Sequence, residues 1–172
     1  MGIILLIYGA ALLLGALAGS RNPLQPLAGL RMASSSTTTA PALPFQRVRN
    51  VRDLETALAE ARGKYVMLDF YADWCVSCKE YEQNTFRDAR IQSLLKNVVL
   101  LQADVTQNTA DDDALLKRFT LFGPPGILFF DPQGHEIAPL KVVGYQDANR
   151  FLVSLNTLFA AKEGECQAAL AC

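Results

Sequence analysis

"KYVMLDFYADWCVSCKEYE", residues 64–82, decides how this chain reads. Its first half is an almost unbroken apolar run, as expected of a β-strand covered on both faces. The segment from Cys75 to about Phe86 reads as a helix. Cys75 therefore follows a buried strand and opens a helix, where orphan backbone N–H groups and the positive end of the helix dipole meet its sulfur. That setting favours thiolate, the attacking form of cysteine. Cys78 lies one turn further on, close enough to Cys75 to close a small disulfide ring. A strand–CxxC–helix arrangement is a specific signal, whereas CxxC alone is weak.

Other uses of such a pair find little support. A structural zinc site needs about four ligands, and beyond this pair the chain offers only His135, Cys166 and Cys172, at irregular spacing. Haem attachment requires histidine directly after the second cysteine, and Lys79 stands there. A purely structural disulfide fits less well at a helix N-terminus beside Trp74. The expectation is a redox dithiol with no metal and no bound cofactor.

Around this centre the pattern alternates between the two periodicities. "VRDLETALAEAR" sets Val51, Leu54, Leu58 and Ala61 on one helical face. "DARIQSLLKN" reads as a short helix after a break, and "VVLLQADV" as a second buried strand. "ADDDALLKRF" is a helix with Asp111 to Asp113 in its first turn and bases in its last. "GILFFD" and "LKVVGY" are strands joined by a turn at Pro132-Gln133-Gly134, and "DANRFLVSLNTLFAA" is a closing amphipathic helix. The order β-α-β-α-β-α-β-β-α predicts a mixed central sheet with helices packed on both faces.

The chain has 172 residues, 51% of them hydrophobic and 19% charged, with a formal net charge of −1. That length suits one well-buried domain with appendages. The near-neutral charge argues against nucleic acid or an anionic membrane surface as the main partner. Much of the apolar excess lies in residues 1–20, "MGIILLIYGAALLLGALAGS", with no charged side chain before Arg21. About twenty such residues cross a hydrocarbon core of roughly 30 Å, so a retained transmembrane helix is expected. The competing reading is a secretory signal, since Ala16-Leu17-Ala18 resembles a cleavage site. Arg21 and Arg31 weakly favour a cytoplasmic exit. Residues 21–45, rich in Ser, Thr, Pro and Ala, read as a flexible linker. Residues 46–160 form the folded domain and residues 161–172 a tail, whose Cys166 and Cys172 pair or stay free.

"VMLDFYADWCVSCKEYE", followed some forty residues on by "FGPPGILFF", resembles a thioredoxin-fold domain. More narrowly, "YADWCVSCKE", "LLQADVT" and "LLKRF" before the proline turn resemble the C-terminal periplasmic domain of the DsbD family of membrane thiol:disulfide interchange proteins. The apolar segment with "GSRNPLQPL" is similar to that family's last membrane helix and its exit. The resemblance implies a C-terminal portion of a larger protein, with the folded domain in the periplasm and its anchor in the bacterial inner membrane. It implies Cys75 as nucleophile and Cys78 as resolving thiol. The expected partners are the transmembrane redox domain and the N-terminal periplasmic domain of the same protein. Beyond those lie cytoplasmic thioredoxin, disulfide isomerases and the cytochrome c maturation thioredoxin-like protein.

The resemblance also makes Pro125 the cis-proline facing the dithiol, with the backbone of Pro124 left to pair with a partner strand. Here the turn is "GPPG" rather than the Ile-Pro-Thr usual in thioredoxins. Asp69, mid-strand between Leu68 and Phe70, is expected to be buried with a raised pKa, and it matches the buried acid of thioredoxins. Glu82, two helical turns beyond Cys75, is the second carboxylate expected to tune the dithiol. Trp74 and Tyr71 flank it as contact surface, with core packing an equal account of Tyr71. Lys79 and His135 read as surface residues. Two other functions remain open: a stand-alone anchored thioredoxin-like reductase for cytochrome c maturation, and a module that holds clients without turnover.

Overall fold

The computed structural model describes residues 41–170, with side chains described as far as residue 160. The expected membrane helix, most of the expected linker, and Cys166 and Cys172 lie outside the described residues or side chains. Among the described residues no helix is long and apolar enough to cross a membrane.

The domain begins with strand β1 (Gln46–Val48) and helix α1 (Val51–Glu60). Asn50 caps α1, its side chain accepting a 2.8 Å hydrogen bond from the Asp53 amide. Strand β2 (Val66–Tyr71), buried along its whole length, leads to helix α2 (Val76–Glu80), which runs into a π-helical turn, Tyr81–Thr85. Helix α3 (Ala89–Leu95) and strand β3 (Val99–Asp104) follow. Helix α4 (Ala110–Arg118) opens with a capping box between Thr109 and Asp112. Of the three aspartates expected in its first turn, Asp112 is thus a buried cap. Strand β4 (Gly126–Phe130), a 3₁₀ turn (Ala138–Leu140), strand β5 (Val142–Val143) and helix α5 (Ala148–Leu170) complete the chain.

The sheet order is β1-β3-β2-β4-β5, with β1, β3 and β2 parallel and β4 antiparallel to both β2 and β5. This is a thioredoxin fold, with a mixed central sheet and helices on both faces. Alternation along the strands divides the core into two. Leu68, Phe70, Leu101, Ala103 and Leu128 pack against Leu54 and Ala57 of α1 and Leu115 of α4. Met67, Leu100, Ile127 and Phe129 pack on the other side against Ile91, Leu95, Phe151, Leu155 and Leu158. Each of the large apolar side chains among these contributes roughly 1.5–3 kcal/mol. β2 is central because both of its faces are covered, which is why its sequence is a run rather than an alternation.

The structure departs from the sequence reading in several local places: the helix expected from Cys75 to about Phe86 is α2 followed by the π turn, and α5 runs on to Leu170 through the segment read as a tail. The strand expected over "LKVVGY" is only Val142–Val143, because Ala138–Leu140 turns as a 3₁₀ helix containing Pro139. The chain before β1 is also partly packed. Leu43 and Phe45 join the second core cluster, the Phe45 ring lies 5.6 Å from Phe86, and the Gln92 side-chain amide donates to the Pro41 carbonyl at 2.7 Å.

Candidate active site

The site lies where β2 ends and β4 begins. Phe70 and Gly126 are antiparallel partners, so the turn before Gly126 and the loop after Tyr71 emerge at the same end of the sheet. Cys75 sits at the N-cap of α2, and its Sγ accepts a 3.2 Å hydrogen bond from the Cys78 amide. Cys75 and Cys78 form a disulfide with Cα atoms 5.3 Å apart. Both residues are buried, and Cys78 Sγ lies 3.9 Å from the Phe70 carbonyl oxygen. The π turn after α2 is held from a distance. The Tyr81 hydroxyl donates to the Gly144 carbonyl at 3.0 Å and accepts from the Gln146 amide at 2.9 Å. Thr85 Oγ1 donates to the Gln146 carbonyl at 2.9 Å.

A second loop holds the approach to the dithiol. Thr106 Oγ1 accepts from the Asp73 amide at 2.9 Å, and the Thr106 carbonyl accepts from Trp74 Nε1 at 3.3 Å. Trp74 is nevertheless 56% exposed. Tyr71 is core-packed, its hydroxyl donating to Asp73 Oδ1 at 3.0 Å. The Pro124–Pro125 peptide is cis. Neither residue has an N–H, and the Pro125 carbonyl already accepts from the Gly144 amide at 3.1 Å. Phe122, just before this turn, is fully exposed.

Asp69 is only 3% exposed. Burial, opposed by a hydrogen bond from Gln102 and reinforced by the charge of Glu82, raises its pKa from 3.8 to about 7; Arg47 pulls slightly the other way. Glu82 is exposed in the π turn, yet near enough for its charge to act on both Asp69 and Tyr71. Gln102 stands apart from the sequence-based set. It is 3% exposed, lies in register with Asp69, and donates from Nε2 to Asp69 Oδ2 at 2.7 Å. A lone glutamine in an apolar strand, two residues before the strand ends, was its one visible signal. Lys79 is exposed, and the exposed His135 ring sits 3.3 Å from the Asp131 carboxylate. Among the described residues no group of three or more His, Cys, Asp or Glu is arranged to hold a metal ion.

A helix-capping disulfide beside a proline turn, on this sheet, defines a thioredoxin-like domain with the make-up of a thiol:disulfide oxidoreductase. A family profile described as thioredoxin-like matches residues 49–132. The thiol:disulfide interchange protein DsbD of Ralstonia nicotianae is 56% identical over 158 residues, covering 90% of this chain and 26% of that protein. DsbD of Yersinia pestis is 49% identical over 144 residues, covering 84% and 24%. The crystal structure of the Neisseria meningitidis DsbD C-terminal domain in the oxidised form matches with a TM-score of 0.52 and 36% identity, covering 62% of this chain and 90% of that one. The chain belongs to the family of DsbD C-terminal domains. It spans about a quarter of the length of the curated relatives it matches.

Proposed function

We propose that this chain is the terminal periplasmic module of a DsbD-type electron relay in the bacterial inner membrane. Residues 1–20 anchor it, residues 21–45 supply most of the reach, and residues 46–160 carry the chemistry. The membrane-embedded part reduces the Cys75–Cys78 disulfide with electrons drawn from cytoplasmic thioredoxin. The reduced pair then reduces the N-terminal periplasmic domain of the same protein. From there electrons pass to disulfide isomerases and the cytochrome c maturation pathway.

In the outgoing step the Cys75 thiolate attacks one sulfur of the partner disulfide. The partner's second sulfur leaves as thiolate and takes up a proton. Cys78, facing the Phe70 carbonyl, gives its proton to the Asp69 carboxylate and attacks Cys75 Sγ. The Cys75–Cys78 bond forms, the mixed disulfide breaks, and the partner's other sulfur departs with a proton. One partner disulfide becomes two thiols for one dithiol oxidised. Asp69 suits the exchange because a carboxyl with a pKa of about 7 both accepts and returns a proton near neutrality. Glu82 helps hold that value up. Trp74 and the turn at Pro124 and Pro125 give the partner a surface and a carbonyl to lie against.

The observation that carries this reading is the disulfide at the cap of α2, whose Cys78 Sγ lies 3.9 Å from the carbonyl oxygen of Phe70, the strand neighbour of the buried Asp69. Replacing Cys78 by serine leaves the mixed disulfide at Cys75 unresolved. The adduct isolated from cells is expected to contain the N-terminal domain. Adducts solely with a cytochrome c maturation protein would favour the stand-alone reductase. Unchanged insulin reduction by the Cys78→Ser chain would refute the exchange mechanism.

A further inference from the structure

On the exchange proposed above, the proton that leaves Cys78 goes to a buried carboxyl, and a buried carboxyl needs a hydrogen-bond partner in both of its protonation states. A lysine partner leaves the O–H of the protonated state unmet, because ammonium has no acceptor. An apolar partner serves neither. A primary amide serves both, since its nitrogen donates and its oxygen accepts within nearly the same outline. Gln102 is placed for this: it neighbours Asp69 across the parallel β2–β3 ladder, both side chains are buried, and the contact is 2.7 Å.

We propose that Gln102 is the positioning residue for proton uptake by Asp69, its amide donating to the carboxylate and, after half a turn about its last side-chain bond, accepting from the carboxylic acid. This rests on the thiol-exchange reading above and adds a residue to it. When Cys78 releases its proton, Asp69 Oδ2 gains it and becomes a donor. The Gln102 amide reverses, so that Oε1 faces the new O–H. No charge moves except the proton itself, and return of the proton reverses the turn.

The other charged and titratable groups around Asp69 act by field. Glu82 approaches from the turn after α2 and raises its proton affinity, while Arg47 on β1 lowers it from a distance. Arg47 is committed to Asp104 through a 2.7 Å ion pair. Tyr81 senses the Asp69 charge but directs its hydroxyl to Gly144. Gln102 is thus the side chain that meets the Asp69 carboxyl by a direct hydrogen bond.

Two measurements on the 172-residue chain test this. First, the Gln102 side-chain ¹H–¹⁵N signals of the oxidised protein are followed from pH 5 to 9. They are expected to titrate with the Asp69 carboxyl carbon, at one midpoint, and to become flat in Asp69→Asn. Gln102 signals that stay flat while the Asp69 carbon titrates overturn the proposal, and this needs no turnover. Second, the rate at which Cys78 resolves a preformed Cys75–glutathione mixed disulfide is measured against pH. Gln102→Met, which lacks donor and acceptor, is expected to raise the midpoint by about one pH step and slow the reaction about tenfold below it. Gln102→Lys is expected to lower the midpoint by at least as much. A profile unmoved by both substitutions, in variants whose urea midpoints show them folded, also overturns the role of Gln102 while leaving the exchange mechanism intact. Failure of the wild-type chain to resolve the adduct at any pH would instead overturn the mechanism.

Discussion

Replacing Asp69 by asparagine removes a charge that the core must otherwise neutralise or tolerate. On folding, the Asp69 pKa rises from 3.8 to about 7, chiefly through burial. A carboxyl whose proton affinity is higher in the folded state contributes no loss of stability below its unfolded pKa. As pH climbs from about 4 to 7 the unfolded chain ionises first, and folding becomes steadily less favourable. Above 7 the full difference is in place. At about 1.4 kcal/mol for each tenfold change in proton affinity, it amounts to about 4 kcal/mol. An asparagine in its place carries no such burden and retains an amide for Gln102 to meet. The Asp69→Asn chain should therefore match the wild type at pH 3.5 and exceed it by about 4 kcal/mol at pH 8, both with the disulfide closed. With a urea slope of roughly 1–3 kcal/mol per molar, the midpoint at pH 8 rises by more than about 1 M. A gap of equal size at both ends of the pH range would refute the reasoning, as would one that opens toward acid.

Three further outcomes are expected. Glu82→Gln removes a negative charge that acts on Asp69, and both it and Asp69→Asn should lower the apparent pKa of Cys75; thiolate absorbance of the reduced chain reads the shift, and an unchanged or raised value counts against the electrostatic account. At Gly126 an added Cβ would stand 2.8 Å from Leu121 Cδ1, so the buried Leu121 side chain would have to shift. Gly126→Ala should cost about 1–3 kcal/mol by overpacking, and a double-mutant cycle with Leu121→Ala should recover most of that cost. Thr120 closes α4 at φ 54°, a left-handed conformation rare for a β-branched residue; Thr120→Gly should stabilise by about 1 kcal/mol in thermal or urea unfolding, and a loss of stability would mean that the methyl or hydroxyl makes a compensating contact.

How much was legible depended on whether a feature was local. The apolar run from Val66 to Phe70 could only be a doubly covered strand, and the cysteines after it could only cap what followed. Those two facts carried the fold and the centre of the site. Asp69 was visible because a carboxylate inside such a run has no route to water. The π turn was not visible, since Tyr81 and Thr85 are fixed by Gly144 and Gln146, more than sixty positions away. Gln102 was hidden for the same reason: a glutamine in β3 means little until the register sets it against Asp69. The shortened β5 follows from a turn at Pro139 and from Lys141, whose ammonium donates to the Phe119 carbonyl at 2.8 Å. The packed segment before β1 has a linker's composition, and Phe86, Gln92 and the second core cluster give it somewhere to rest.

The doubled proline of the turn has a bearing on discrimination. A protein segment docking there, as proposed, finds no amide hydrogen at positions 124 and 125, and the second carbonyl is already engaged by Gly144. One free oxygen cannot dictate the register or direction of an incoming chain. On that proposal selectivity would fall to contour, set by the half-covered indole of Trp74 and the exposed ring of Phe122. Such a docking face would tolerate varied sequences yet reject misfitting shapes.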